Sequence, residues 1–193
     1  MPAKEQETIC PTGRAHWRQW LAKYHQSRQS IWLIYYKKST GKATVSYSEA
    51  VDEALCFGWI DSTRNSLDDE RFIQFFCRRK PKSVWSRINK EKVERLIAEG
   101  LMTDAGYASI ETAKQNGSWT ILDEVEKLTV PKDLAAAFRR IKGSKAYFNG
   151  LSPSARKAIL QWVVLAKRPE TRLKRIEEIA TLAGQGLKPM QFR

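Results

Sequence analysis

In ALCFGWIDSTRN, Ala54 to Asn65, the apolar run Cys56, Phe57, Trp59 and Ile60 leads to a lone carboxylate, Asp61. In a strand that begins at Trp59, side chains alternate, so Trp59 and Asp61 project together while Ile60 and Ser62 face the other way. An aromatic plate beside an acceptor suits an amine, a base edge or a hydroxyl, provided that face lines a cleft. The alternative is structural: Asp61 fixes a backbone amide or an arginine, and Trp59 is core. The second candidate stretch is FCRRKPKSVW, Phe76 to Trp85. Guanidinium groups match planar carboxylate or phosphate oxygens in bidentate fashion. Cations interleaved with Trp and Phe also suit single-stranded nucleic acid, where phosphate attraction and base stacking act together. Alternation puts Arg78 and Arg79 on opposite faces of a strand, so at most one of them faces Asp61. The candidate ligand-binding set is therefore Trp59, Asp61, Arg78, Arg79, Lys80 and Trp85.

Other chemistries lack their residues. The chain has no phosphate-cradling loop ending in GK[ST], no HExxH and no GxSxG, and GSKAYF at Gly143 lacks the loop that would precede it. Cys10, Cys56 and Cys77 are three thiols at no ligand-like spacing, and the chain has two histidines, His16 and His25. No disulfide framework and no structural metal site is expected from them. Cys56 reads as packing, and Asp68, Asp69 and Glu70 read as an exposed turn. No cofactor is expected and no catalytic set is defined, so a binding protein is favoured over an enzyme. Nucleic-acid modules are not signalled either: the chain shows no RNP-type aromatic pattern, GXXG loop or zinc-finger spacing.

The elements that must position these residues are legible from periodicity. GRAHWRQWLAKYHQ carries Trp17, Trp20, Leu21 and Tyr24 on one helical face, and IWLIYYKK reads as a strand. In SYSEAVDEALCFG, Ser46 and Glu49 are spaced as a capping box, with Tyr47, Ala50, Val51, Ala54 and Leu55 on one face and Gly58 as a C′ glycine. WIDSTRN and RFIQFFCRR form a hairpin around SLDDE, and Pro81 ends its second strand. Helices follow over VWSRINKEKVERLIAEG and DAGYASIETAKQN, the latter with Thr103 placed to cap it. SWTILDEVEKLTV reads as loop or short irregular pieces. Beyond it, DLAAAFRRI and SKAYFNGL are helical, and Ser152-Pro153 and Pro169 start two longer helices. Their buried stripes are expected to be Ala155, Ala158, Ile159, Trp162 and Val163 in one, and Leu173, Ile176, Ile179 and Ala180 in the other.

The expected fold is thus α+β and mostly helical. A small antiparallel sheet from Ile31–Lys37, Trp59–Ser66 and Arg71–Arg78 occupies the N-terminal half, and the C-terminal region ends in an antiparallel helix pair. The 193 residues fit a single domain, 1–193, with a mixed part over 12–118, a helical part over 128–186, and flexible ends at 1–11 and 187–193. A hydrophobic content of 42% with seven Trp, seven Phe and six Tyr is far from the disordered class. The net charge of +13 predicts attraction to polyanions or acidic ligands, and it concentrates in Arg71–Ile97 and Pro153–Arg193. MPAKEQETICPTG has no apolar core of signal-peptide length, and no segment approaches 18 uninterrupted apolar residues, so a cytoplasmic protein without a membrane span is expected.

Three long motifs resemble one family. EALCFGWIDS (Glu53–Ser62), RKPKSVWSRINKEKVERL (Arg79–Leu96) and LSPSARKAILQWVVLAKRPETRLKRI (Leu151–Ile176) are similar to the bacterial bacteriocin-protection family called YdeI or OmpD-associated, from about Ile31 to Pro189. The resemblance implies a small cytoplasmic protein linked to antimicrobial-peptide tolerance and to an outer-membrane porin. It implies no catalytic residues. The first reading is a binding protein of this kind acting in bacteriocin tolerance or envelope stress, with an envelope protein or, from the cations of Phe76–Trp85, a small anionic ligand as partner. Single-stranded nucleic-acid or polyanion binding through the basic surface is the second reading, and an enzyme with a pocket around Trp59 and Asp61 is the third.

Overall fold

A computed structural model describes residues 7–192. The chain forms two compact units, one ending at Trp119 and the other beginning at Thr120. The fold is α+β and mostly helical, as the periodicity predicts.

The first unit runs β1 (Thr8–Ile9), α1 (Arg14–Tyr24), β2 (Ser30–Tyr36), α2 (Tyr47–Cys56), β3 (Trp59–Ser66), β4 (Arg71–Arg78), α3 (Arg87–Ala98) and α4 (Asp104–Gln115). The sheet order is β1-β2-β4-β3. β4 pairs antiparallel with both β2 and β3, as the hairpin reading requires. β1 adds a parallel edge, with Thr8 opposite Trp32 and Ile9 opposite Leu33, so the sheet is mixed rather than purely antiparallel. These two residues fall within the end expected to be flexible, and residues 1–6 of that end lie outside the described residues.

One face of the sheet is buried. Ile31, Leu33 and Tyr35 of β2, Phe76 of β4 and Trp59 of β3 pack with Trp17 and Leu21 of α1 and with Ala50, Val51, Ala54 and Leu55 of α2. Each of the larger aliphatic and aromatic side chains contributes roughly 1.5–3 kcal/mol on burial. Trp17 Nε1 also donates to the Ala50 carbonyl at 3.0 Å, which fixes α1 against α2.

Helix α2 starts on the capping box that Ser46 and Glu49 predict, and its chain turns at Gly58 with φ +70°. Its burial exceeds a single stripe, because Ala50 through Cys56 are all buried, Asp52 and Glu53 included. The two carboxylates are tolerated because each meets two cations. Glu53 takes Arg14 at 2.5 Å and Arg18 at 2.6 Å, and Asp52 takes Lys92 and Arg95, both at 2.5 Å. These pairs tie α2 to α1 on one side and to α3 on the other. Tyr47, expected on the buried face, is 52% exposed. Thr103 does not cap α4 by side chain. Its hydroxyl donates instead to the Cys56 carbonyl at 2.6 Å, so it satisfies the end of α2.

The second unit contains α5 (Asp123–Glu126), α6 (Lys132–Arg140), α7 (Ser144–Gly150), α8 (Pro153–Val164) and α9 (Pro169–Gly184). Ser152 caps α8 by accepting from the Ala155 amide, with Pro153 in the first turn. The α8–α9 pair is held at its link by Arg172 donating to the Val163 carbonyl and Arg175 donating to the Trp162 carbonyl. Its core holds Leu134, Phe138, Phe148, Ile159, Leu160, Val163, Ile176, Ile179 and Ala180. Two expectations are corrected. Trp162 is half-buried, with Leu160 in the core instead, and Leu173 is 58% exposed. Trp162 is covered by the edge of Phe192 and by Arg175 rather than by Leu173. Phe192 belongs to a short 3-10 turn, Met190–Phe192, whose first amide donates to Glu178. That turn lies in the second end expected to be flexible, of which residue 193 is outside the described residues.

Candidate functional site

A cavity of about 310 Å³ opens in the first unit where the end of α1, the start of β3, the end of β4 and the side of α4 meet. Two glycines bring these elements close. Gly58 has φ +70°, and a Cβ there would stand 2.8 Å from the Ala105 carbonyl oxygen. Gly106 lies so near the Cys56 carbonyl that it has no room for a side chain. Helix α4 therefore presents a row of small residues to the cavity, Ala105, Ala108, Ser109 and Thr112.

The opposite wall is cationic and aromatic. Arg78, Arg79 and Lys80 line it together with Phe57, Trp59 and Trp85. Among the described residues no Asp or Glu is in the lining. Alternation along β4 predicts that Arg78 and Arg79 diverge, but the strand ends at Arg78. The amide of Arg79 then bonds to the Gly58 carbonyl at 2.9 Å, and both side chains reach the same cavity.

The two arginines are held differently. Arg78 Nε donates to the carbonyls of His25 at 2.8 Å and Arg28 at 3.0 Å, so it closes the C-terminal end of α1, where a cation meets the negative end of the helix dipole. Its Nη2 is buried without a partner. The Arg79 guanidinium carbon lies 3.6 Å from the centre of the Trp85 ring, and Nη2 donates to the Val84 carbonyl at 2.7 Å. Nε and Nη1 of Arg79 are buried and have no acceptor. Burial lowers the Arg79 pKa to about 10, a shift that the negative charge of Asp61 opposes only in part. A buried cation normally carries a carboxylate partner. Among the described residues no carboxylate lies within hydrogen-bond reach of Arg79.

Trp59 is fully buried and donates from Nε1 to the His25 carbonyl at 3.3 Å. His25 Nδ1 lies 2.8 Å from the Leu21 carbonyl, and because a carbonyl only accepts, the proton sits on Nδ1. Trp85 is also buried, with Arg79 over its ring and Trp119 tilted against it at 4.9 Å. Lys80 stands exposed at the rim.

Asp61 is placed apart from these five. It projects to the same sheet face as Trp59, but it does not line the cavity. Its Oδ2 accepts from the Tyr47 hydroxyl at 2.8 Å and from Gln74 Nε2 at 3.1 Å. Desolvation and the bond to Asp61 push the Tyr47 phenol up to about 12. Burial also raises the Tyr35 phenol, whose hydroxyl is buried without a partner. Asp61 thus belongs to a tyrosine–glutamine cluster on the edge strand β3.

Several lining residues escape a reading by local motif: His25, Gln26, Phe57 and the α4 row. The signal available for α4 is its spacing, since Ala105, Ala108, Ser109 and Thr112 recur at three- and four-residue intervals beside Gly106. A small-residue face of this kind marks close approach rather than core. Among the described residues no cluster of His, Cys, Asp and Glu could hold a metal ion, and no helix is long and apolar enough to cross a membrane.

The comparisons with known proteins divide the chain much as its contacts do. Residues 127–186 match the family described as bacteriocin-protection, YdeI or OmpD-associated, which covers the third of the three resembling motifs. Residues 9–109, just over half of the chain, match a different family, described as a domain of unknown function (DUF8412). The motifs Glu53–Ser62 and Arg79–Leu96 fall there. No curated protein and no solved structure matches the chain significantly. The chain belongs to the DUF8412 family through the unit that contains the cavity, and residues 127–186 of its helical unit are similar to the bacteriocin-protection, YdeI or OmpD-associated family.

Proposed function

We propose that the protein is a non-enzymatic binding protein whose N-terminal unit takes a small anionic ligand in the cavity lined by Arg78, Arg79, Lys80, Trp59 and Trp85. The observation that carries this reading is the Arg79 guanidinium, desolvated and stacked on Trp85, with Nε and Nη1 buried and unpartnered. Leaving charged donors unpaired in a shielded place is costly to the fold. An anion that enters the cavity and displaces the groups covering these nitrogens supplies the missing acceptors. The wider role we assign, tolerance of bacteriocins or antimicrobial peptides, rests on the description of the family matched by residues 127–186; that it is exercised from the cytoplasm is part of the proposal.

Nucleic-acid binding by stacking on Trp85 is less well supported. The ring is 1% exposed and already covered by Arg79, so it offers no open face to a base. The third reading, an enzyme around Trp59 and Asp61, is weakened by the position of Asp61 outside the cavity.

The test is a calorimetric and thermal-shift titration of the whole chain with a panel of small mono- and dianions, in parallel with Arg79→Met. Saturable one-to-one binding of at least one anion, lost in the variant, is expected. A panel without any binder, or one bound equally by Arg79→Met, would refute the assignment.

A further inference from the structure

The chemistry of the cavity goes further than a preference for negative charge. Resting on the anion-binding reading above, we infer that the ligand is a small phosphomonoester, with its phosphoryl group at Arg78 and Arg79 and a compact apolar body against α4.

Three features select a phosphoryl group over a carboxylate. The first is the number of waiting donors. Nη2 of Arg78 and Nε and Nη1 of Arg79 are three buried nitrogens on two separate guanidinium groups, all without acceptors. A carboxylate has two oxygens in one plane, which serve a single guanidinium edge. A phosphoryl group has three terminal oxygens arranged tetrahedrally, so it can meet two guanidinium groups at once. The second feature is charge. Among the described residues the lining holds Arg78, Arg79 and Lys80 and no acid, so a dianion neutralises more of it than a monoanion does. A phosphomonoester carries about −1.5 to −2 at neutral pH.

The third feature is the rest of the wall. Phe57, Trp59, Pro81, Ala105 and Ala108 are apolar, and Gly58 and Gly106 keep α4 close to the start of β3. A volume of about 310 Å³ accommodates a phosphoryl group and a ring-sized body, and it is at the small end of ligand cavities. The occupant is therefore a small molecule. A phosphate at the surface of a lipid bilayer presents the same group, but its acyl chains exceed this space.

Phenyl phosphate, benzoate and methyl phenyl phosphate separate these possibilities, because they share a ring and differ in the head group. The expected result is one-to-one binding of phenyl phosphate at least tenfold tighter than benzoate, and at least tenfold tighter than the singly charged diester. Arg79→Met, with an unchanged circular-dichroism spectrum, should lose that binding by tenfold or more. Lys80→Ala, at the exposed rim, should weaken it only a few-fold. Benzoate binding as tightly as phenyl phosphate would overturn the phosphoryl assignment and leave anion binding standing. Absence of binding by all three, in a chain that is folded, would overturn both. Retention by phosphatidate-containing vesicles with no affinity for phenyl phosphate would overturn the small-molecule assignment in favour of a lipid head group.

Discussion

The guanidinium of Arg79 lies over the ring of Trp85, 3.6 Å from its centre, and makes one hydrogen bond, to the Val84 carbonyl. Stacking on a desolvated indole is worth about 2 kcal/mol. Two other nitrogens of the guanidinium, Nε and Nη1, are buried without an acceptor among the described residues. The arrangement holds a cation ready at a cost to the fold, which is what a preformed anion site requires.

That cost can be measured. In Arg79→Met, the stacking and one hydrogen bond are lost, but two buried charged donors without acceptors are removed, each costing about 1–3 kcal/mol. The two sides are of similar size, so the variant is expected to be no less stable than the wild type in chemical denaturation. A variant less stable than the wild type would mean that Arg79 serves the fold rather than a ligand.

Trp85 should behave in the opposite way. It is 1% exposed and packs with Trp119, so Trp85→Ala should cost about 3–5 kcal/mol through lost transfer energy and the cavity left behind. Trp85→Phe keeps a ring under Arg79 and should lose a minor part of that. Denaturant midpoints for the two variants check the ranking.

The order of elements and their punctuation were legible because periodicity and caps are local signals. Ser46 with Glu49 and Ser152 with Pro153 act within one turn of their own helices, and they start α2 and α8 where their spacing predicts. β1 was not legible, because a two-residue parallel bridge has no period. In the cavity, Trp59, Arg78, Arg79, Lys80 and Trp85 could be proposed from types and neighbours. The coming together of Arg78 and Arg79 could not, since it depends on where β4 stops. Asp61 was assigned to the same set because Trp59 and Asp61 share a face. The register that faces Asp61 with Phe76, and leaves its carboxylate to Gln74 and Tyr47, is a tertiary property. Glu53 and Asp52 were missed for a related reason: their cations come from α1 and α3, far along the chain.

Gly58 is the hinge of the cavity wall. Its φ of +70° disfavours any side chain, and a Cβ would press on the Ala105 carbonyl at 2.8 Å, a backbone atom that cannot swing aside. Gly58→Ala should destabilise by more than about 1 kcal/mol and push α4 away from β3. Gly41, also at positive φ but with open space around it, provides the control. Gly41→Ala should carry only the backbone penalty and leave anion binding intact.

The second unit has its own pH signature. Arg172 grips Asp133 through two hydrogen bonds, at 2.7 and 3.0 Å, and these hold the Asp133 carboxyl below the usual carboxylate range. A depressed folded pKa gives stability that is fully present above the unfolded value of about 3.9. It is lost as pH falls through the folded value. Both side chains are partly exposed, so the contribution is below about 1 kcal/mol. Asp133→Asn should lower the thermal midpoint slightly at pH 7, and the gap to wild type should narrow as pH falls below about 3.9. A gap that stays constant across this range would exclude the ion pair as its source.

Glu53 is the most consequential charge in the first unit. It is 1% exposed, and its two oxygens take Arg14 and Arg18 from successive turns of α1. Arg18 also donates to the Leu101 carbonyl, so the same cluster reaches the segment that leads into α4. Arg14 and Arg18 are about a third exposed, and water can solvate either of them if the carboxylate is removed. The carboxylate cannot be solvated in the same way. The effects should therefore be asymmetric. Glu53→Gln keeps the shape and hydrogen-bonding capacity and frees two cations that water can reach, so it should be the milder change. The double variant Arg14→Ala with Arg18→Ala strands a buried anion and should cost on the order of 3–5 kcal/mol. Denaturation of the two proteins at neutral pH checks the order, and adding Glu53→Gln to the double variant should restore part of the loss. A double variant no less stable than Glu53→Gln would show that the carboxylate reaches water when α1 is stripped of its arginines.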